Sequence, residues 1–144
     1  MNLKLLVSGI FIGLSLIYFT AVSCNFNPYS QGEWLYRTHC ASCHMEDGSG
    51  LRDLIPSLHQ SPFLTGEQIH STACLIRYGI KRPDPFDPKV ETYPMPPLHQ
   101  LTETEITNIL NYIGNHFGNR AGYVNPIKLQ EKLDNCPNAV PRKY

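Results

Sequence analysis

Two cysteines that are separated by two residues and followed at once by a histidine constrain this chain more than any other feature. The motif reads Cys40-Ala41-Ser42-Cys43-His44. Two thiols at this spacing can add to the two vinyl groups on one edge of a porphyrin, and the next residue then places an imidazole under the iron. A thioredoxin-like redox pair needs a βαβ setting, and a structural zinc site needs a second ligand pair; the sequence offers neither pattern. The motif therefore predicts one covalently attached haem c.

The composition agrees with a small domain that depends on a bound group. Beyond the first 23 residues the aliphatic content is modest. A small core of that kind usually needs a cross-link or a large cofactor to be stable. Twelve Lys and Arg balance twelve Asp and Glu, so the basic excess of a nucleic-acid-binding protein is absent. We expect no nucleic-acid partner.

The first 23 residues have the pattern of a targeting segment. Lys4 precedes the eighteen uncharged residues Leu5 to Val22, as in a signal peptide. The sequence Ala21-Val22-Ser23-Cys24 that ends this segment resembles a bacterial lipoprotein cleavage site, and it predicts lipidation of Cys24. The alternative is an uncleaved membrane anchor, since the apolar run approaches the length of a spanning helix. Both alternatives place the rest of the chain on the outer side of the cytoplasmic membrane.

Hydrophobic periodicity predicts a mainly helical chain beyond Cys24. Helices are expected from Gln31 to His39, from Thr65 to Ile80, from Thr102 to about Gly118 and from Ile127 to Leu133. Thr102 and Glu105 form a capping box at the start of the clearest of these helices. Residues 81–100 contain six prolines, which exclude a regular helix or a central strand there.

The second axial ligand of the predicted haem is sought among methionines and histidines. Met45 adjoins His44 and is therefore expected on the same side of the porphyrin as His44, where it cannot be the second ligand. Met95 lies in Tyr93-Pro94-Met95-Pro96-Pro97, where flanking prolines favour an extended backbone that can present a thioether. The alternatives are Met95 as an ordinary core residue, or one of three histidines as the distal ligand. Those histidines are His59, His70 and His99, the last of which shares the proline-rich loop.

The stretch from Gly32 to Asn119 resembles a class I, monohaem cytochrome c of the exported, bacterial lipoprotein type. The resemblance is carried by the haem motif, the C-terminal helix and the proline-rich loop around Met95, called the methionine loop below. It implies that Gly32 and Tyr36 of the first helix pack on the last one, at Ile109 and Tyr112. It also implies that the carbonyl of Pro56 accepts a hydrogen bond from the proximal imidazole, which would fix the ring tautomer.

The resemblance implies an all-α, cytochrome c-like fold in which three to four short helices and long proline-rich loops surround one haem. We expect a signal peptide (1–23), a tether (24–30), a cytochrome c domain (31–120) and a docked C-terminal tail (121–144). The implied function is electron transfer between redox protein partners by a membrane-anchored, periplasmic or cell-surface protein that is not itself an enzyme. The alternatives are an electron-entry subunit of an oxidase or dehydrogenase complex, or a ligand-sensing haem with a labile methionine.

Two cysteines remain after the haem and the lipid have taken three. Cys74 and Cys136 lie in a compartment where disulfides persist, so we expect them to be bonded to each other. Such a bond would hold a polar tail that has few apolar residues of its own. The alternative is a pair of free thiols, one buried and one exposed.

Four further side chains have expected positions. Trp34 is expected in the core, against the haem edge or the C-terminal helix. Arg52, Arg77 and Tyr93 could bind the haem propionates, because a buried carboxylate favours a charge-assisted partner, although each is more often a surface or packing residue.

Overall fold

The computed structural model describes residues 3–22, 27–52, 54–80 and 94–136. Its helices are α1 (Leu3–Val22), α2 (Ser30–His39), α3 (Ala41–His44), α4 (Gln68–Tyr78), α5 (Glu103–Ile113) and α6 (Pro126–Asp134), with a 3₁₀ turn at Pro62–Leu64. The described ranges contain two isolated β-bridges and no β-strand. The predicted all-α fold is confirmed.

The first helix covers most of the predicted targeting segment. None of the helices in the described part of the chain is both long and apolar enough to cross a membrane. Cys24, the predicted lipidation site, lies outside the described residues.

Helices α2 and α5 cross at a glycine, and this crossing supports the site described below. A Cβ on Gly32 would overlap the carbonyl oxygen of Asn108 and lie 2.8 Å from Cβ of Tyr112. One turn later the fully buried Tyr36 packs on Tyr112, with ring centroids 5.5 Å apart. The predicted contact of α2 with Tyr112 is therefore present, and the absent side chain at residue 32 lets the two backbones approach closely.

Helix α5 begins as predicted and ends earlier than predicted. Thr102 accepts a hydrogen bond from the backbone N–H of Glu105, whose carboxylate accepts one from the backbone N–H of Thr102 at 2.7 Å. The helix ends at Ile113 and its C-cap is Gly114, not Gly118. Four apolar residues of α5 face the core: Ile106, Ile109, Leu110 and Ile113.

Helix α4 is shorter than its sequence pattern indicated. The hydroxyl of Thr65 donates to the carbonyl of Pro62 in the preceding 3₁₀ turn, so Thr65 does not cap the helix, which begins at Gln68. Its predicted end is confirmed: Gly79 follows Tyr78 with a φ of +72°. His70 of this helix is buried.

The C-terminal segment docks by burial as well as by a covalent bond. Cys74 of α4 is bonded to Cys136, with an S–S distance of 2.02 Å. Val124, Leu129 and Leu133 are nearly inaccessible to solvent, so the segment has more apolar contact than its polar sequence implied. Side-chain amides of α5 and the turn after it hold the chain before α6; for example, Asn111 accepts from the backbone N–H of Val124 at 2.9 Å.

The expectation for Trp34 is wrong. Trp34 is 62% exposed, because α2 turns Gly32, Leu35 and Tyr36 toward α5 and Trp34 toward solvent. Successive helical residues lie about 100° apart around the axis, so Trp34 cannot share the face that contains residues 32 and 36.

Candidate functional site

One cleft brings the sequence-predicted ligands together. It has a volume of about 610 Å³, which is typical of a cofactor site, and its walls are mainly apolar. Its lining consists of the end of α2, helix α3, the loop that follows α3, Ile80 and the proline-rich loop: His39, Cys40, Ser42, Cys43, His44, Arg52, Leu54, Ile55, Pro56, Ile80, Pro94, Met95, Pro96 and Leu98. A second, more open groove of about 640 Å³ lies between α4 and α6, and charged side chains such as Glu67 and Lys128 line it.

A single helical turn aligns the motif residues. The backbone N–H of His44 donates to the carbonyl of Cys40 at 2.9 Å, closing the turn that forms α3. Residues three and four apart lie on the same side of a helix, so Cys40, Cys43 and His44 share one face. That face is the one that lines the cleft.

The two thiols of the motif are free, and that of Cys40 is not electrostatically activated. Burial, reinforced by the neighbouring Cys43, raises the pKa of the Cys40 thiol to about 12. A redox-active Cys-x-x-Cys pair instead has a lowered thiol pKa, because the thiolate is the nucleophile. Within the described ranges no three His, Cys, Asp or Glu side chains form a cluster that could hold a metal ion. The Cys40 thiol is therefore poorly suited to disulfide exchange.

The imidazole of His44 is fixed by the loop that follows α3. Its Nδ1 lies 3.1 Å from the carbonyl oxygen of Pro56, so Nδ1–H donates and the lone pair of Nε2 is left available. Burial lowers the pKa of His44, while the hydrogen bond to Pro56 opposes that shift. A neutral imidazole with one nitrogen held by a backbone carbonyl is the usual form of a metal-binding histidine.

Met95 is held on the cleft by backbone pairing. Its N–H donates to the carbonyl of Ile80 at 3.1 Å, and the N–H of Ile80 donates to its carbonyl at 2.9 Å. The three histidines considered as alternatives are elsewhere: none of His59, His70 and His99 lines the cleft. His59 lies with Nε2 at 2.8 Å from the carbonyl of Asp47, and the ring of His99 packs near Tyr78.

The three residues considered as partners of the haem propionates differ in their location. Arg52 lines the cleft and is exposed, with a positive φ of 45°. Arg77 is not among the lining residues and is buried against backbone carbonyls behind the methionine loop. Tyr93 lies outside the described residues.

Sequence reasoning missed two parts of the site. The apolar side chains of Leu54, Ile55, Ile80 and Leu98 form much of its wall, although only their nearness in sequence to Pro56 and Met95 could have indicated it. The hydroxyl of the buried Tyr36 donates to the carbonyl of Met45 at 2.6 Å, which ties helix α2 to the residue after His44.

The donor set fits a metalloporphyrin. Apolar walls suit the face of a flat aromatic ring, the two thiols suit addition to its vinyl groups, and an imidazole and a thioether suit an iron atom. An all-α domain with such a cleft defines a c-type cytochrome. The Cytochrome c family matches residues 29–116, which is more than half of the sequence, and the chain belongs to that family.

Two curated relatives are similar to the same region. The cytochrome c subunit of alcohol dehydrogenase (quinone) from Gluconobacter oxydans (strain 621H) is 28% identical over 102 residues, which are 69% of this chain and 21% of the relative. The fructose dehydrogenase cytochrome subunit from Gluconobacter japonicus is 33% identical over 93 residues, 62% of this chain and 19% of the relative. The chain thus spans about a fifth of the length of each relative. Membership of the Cytochrome c family implies a covalently bound haem c.

Proposed function

We propose that Cys40 and Cys43 attach one haem by thioether bonds, that His44 and Met95 bind its iron, and that the protein carries single electrons between redox proteins. The observation that supports this proposal best is the common cleft: both thiols, the imidazole and the thioether line the same space. Bound haem c supplies a one-electron Fe(III)/Fe(II) couple.

The residues around the ligands favour a carrier over a catalyst. Pro56 orients His44 through its carbonyl, and Ile80 fixes the backbone of Met95 by two hydrogen bonds. If His44 and Met95 both bound the iron, peroxide or another small substrate would have to displace one of them. A thioether ligand also raises the reduction potential relative to a second histidine. These features favour electron transfer over ligand sensing.

A second candidate follows from the relatives. Both are named as cytochrome subunits of dehydrogenases, so this chain could serve as the electron-accepting subunit of such a complex. Purification from native membranes separates the two functions. A dehydrogenase that co-purifies in stoichiometric amount and reduces the haem on addition of its substrate supports the subunit, whereas a monomeric haem protein supports the free carrier.

The proposed location is the outer side of the cytoplasmic membrane, with a lipid on Cys24. The uncharged segment before Cys24 and the Cys74–Cys136 bond support export, because disulfides persist in oxidising compartments. Cys24→Ser should abolish fatty-acid labelling and leave an unprocessed precursor. Labelling that persists in this variant would contradict lipidation at Cys24.

The haem assignment is tested on protein expressed with a cytochrome c maturation system. The intact mass should increase by one haem that acid acetone does not extract, and the oxidised protein should show the weak sulfur-to-iron charge-transfer band of methionine ligation. Cys40→Ala or Cys43→Ala should leave at most one thioether, seen as a shifted α-band. Haem that is fully extractable from the unmodified sequence would contradict the proposal.

A further inference from the structure

A buried arginine joins helix α4 to the far end of the methionine loop. Arg77 is 4% exposed. Its Nη1 donates to the carbonyl of Leu101 at 2.6 Å and to that of His99 at 3.2 Å. Its Nη2 lies 3.3 Å from Oε1 of Glu103, in the first turn of α5. One guanidinium thus contacts the loop and the helix that follows it.

The same helix also holds the start of this loop through its backbone. Ile80 pairs with Met95, and the carbonyl of Ile76 accepts a hydrogen bond from the backbone N–H of Leu98 at 3.0 Å. Residues 95–101 are therefore attached to the end of α4 at successive points, by backbone at Met95 and Leu98 and by the Arg77 side chain beyond them. Arg77 supplies the attachment at the C-terminal end.

The chemistry of arginine suits this task. A guanidinium has five N–H donors in a rigid plane and remains charged when buried, so it can bind several oxygens at once. A buried charge is tolerated only with such partners, and removing the side chain would leave the buried carbonyl of Leu101 and the partly buried one of His99 without this donor. The loop and the arginine therefore depend on each other.

We propose that Arg77 is a positioning residue for the axial thioether: by holding the carbonyls of His99 and Leu101 it keeps the loop closed with Met95 on the iron. This inference rests on the proposed ligation by Met95. Arg77 does not line the cleft, so it would act through the loop and not by contact with the haem. An external ligand can replace Met95 only when the loop opens, and its apparent affinity therefore reports how often that happens.

The test is a titration of the oxidised holoprotein with imidazole, followed by loss of the sulfur-to-iron charge-transfer band. Arg77→Met removes every donor and should raise the apparent affinity for imidazole about tenfold or more, because the hydrogen bonds to both loop carbonyls are lost. Arg77→Lys keeps the charge but lacks the planar guanidinium group. It should raise the apparent affinity for imidazole by a smaller factor, about threefold. If Arg77→Met does not fold, Arg77→Lys decides the question.

Two control variants separate positioning from general destabilisation. Leu129→Ala creates a cavity under α6 and should lower the thermal stability without changing the affinity for imidazole. Glu103→Gln removes the charge partner of Arg77 but leaves both loop carbonyls bound, and its affinity should stay within about twofold of the unmodified protein.

Two results would overturn the proposal. One is an affinity for imidazole in the Arg77 variants that matches the unmodified protein. The other is an affinity in Leu129→Ala that rises as much as in Arg77→Lys. Failure of the ligand assignment is visible separately, because the unmodified protein would then lack the charge-transfer band at the start of the titration.

Discussion

Ile80 and Met95 form an antiparallel backbone pair whose two hydrogen bonds measure 2.9 and 3.1 Å. The pair brings the end of helix α4 against the methionine loop. It is possible because residue 79 is a glycine: a Cβ there would overlap the carbonyl oxygen of Met95 and lie 2.9 Å from the backbone nitrogen of Pro97. The position of the Met95 thioether therefore depends on residue 79, next to Ile80, having no side chain.

Gly79→Ala should displace the methionine loop. The residue has a φ of +72° and a ψ of −178°, a region open almost only to glycine, so backbone strain of about 1–3 kcal/mol adds to the overlap. We expect a lower melting temperature and a weakened sulfur-to-iron charge-transfer band.

The matched control for that variant is Gly66→Ala. Gly66 also has a positive φ, +49°, but a Cβ there would meet nothing within 4 Å. Strain of about 1 kcal/mol should lower its melting temperature slightly and leave the band unchanged. Equal effects of the two substitutions on the band would show that the close approach at Gly79 is not what positions Met95.

Met95→Ala should retain covalent haem and lose the charge-transfer band, with a reduction potential lower than that of the unmodified protein, because the thioether favours the ferrous iron. The measurements are the oxidised absorption spectrum and a redox titration. Met45→Leu is the control, because Met45 follows His44 and its backbone carbonyl, which accepts from Tyr36, is retained in the variant. A band that survives in Met95→Ala would point to another axial ligand, with His99 the first to examine.

The features of the fold that were predicted most reliably are formed by residues close together in sequence. The capping box at Thr102 and Glu105 and the helix end at Gly79 involve residues close in sequence, and the structure contains both. The haem motif is local as well, since one helical turn aligns Cys40 and His44. Such features need only the chain's own geometry, which a sequence pattern describes directly.

Features that depend on distant partners were harder to predict. Arg77 was considered as a propionate partner, but its acceptors, the carbonyls of His99 and Leu101, carry no side-chain signature. Trp34 was expected in the core because it is aromatic, although the helical face toward α5 is set by Gly32 and Tyr36. The ligand cleft could be predicted in part: the residue types indicated the ligands, but only the fold brings them together.

The capping box should make stability depend on pH. Hydrogen bonds from the backbone N–H and the hydroxyl of Thr102 lower the pKa of Glu105 below its ordinary value of 4.5. A carboxyl group with a lowered pKa stabilises the folded state above its ordinary pKa, and the contribution is lost as the pH falls through the folded-state pKa. Glu105→Gln should therefore melt at a lower temperature than the unmodified protein at pH 7, and the difference should shrink as the pH is lowered below 4.5.

Thermal melting at several pH values checks this expectation. Glu131→Gln, an exposed glutamate of α6 outside the capping box, is the control and should show little difference at any pH. A difference between Glu105→Gln and the unmodified protein that stays constant from pH 7 to about pH 3 would contradict a role for the charged carboxylate.

The Cys74–Cys136 bond should account for a substantial part of the stability of the fold. The bonded residues are 62 apart in sequence, and closing a loop of this length reduces the entropy of the unfolded chain by the equivalent of about 4 kcal/mol, which is an upper value because measured gains are often smaller. Cys74→Ala with Cys136→Ala should lower the melting temperature. It should also make α6 the first site of proteolysis, because only noncovalent contacts, such as the burial of Leu129 and Leu133, then hold it. Single variants control for the loss of each side chain, and should match the double variant because the bond is absent in all three. Two alkylatable thiols in denatured, unreduced holoprotein would show that the bond does not form.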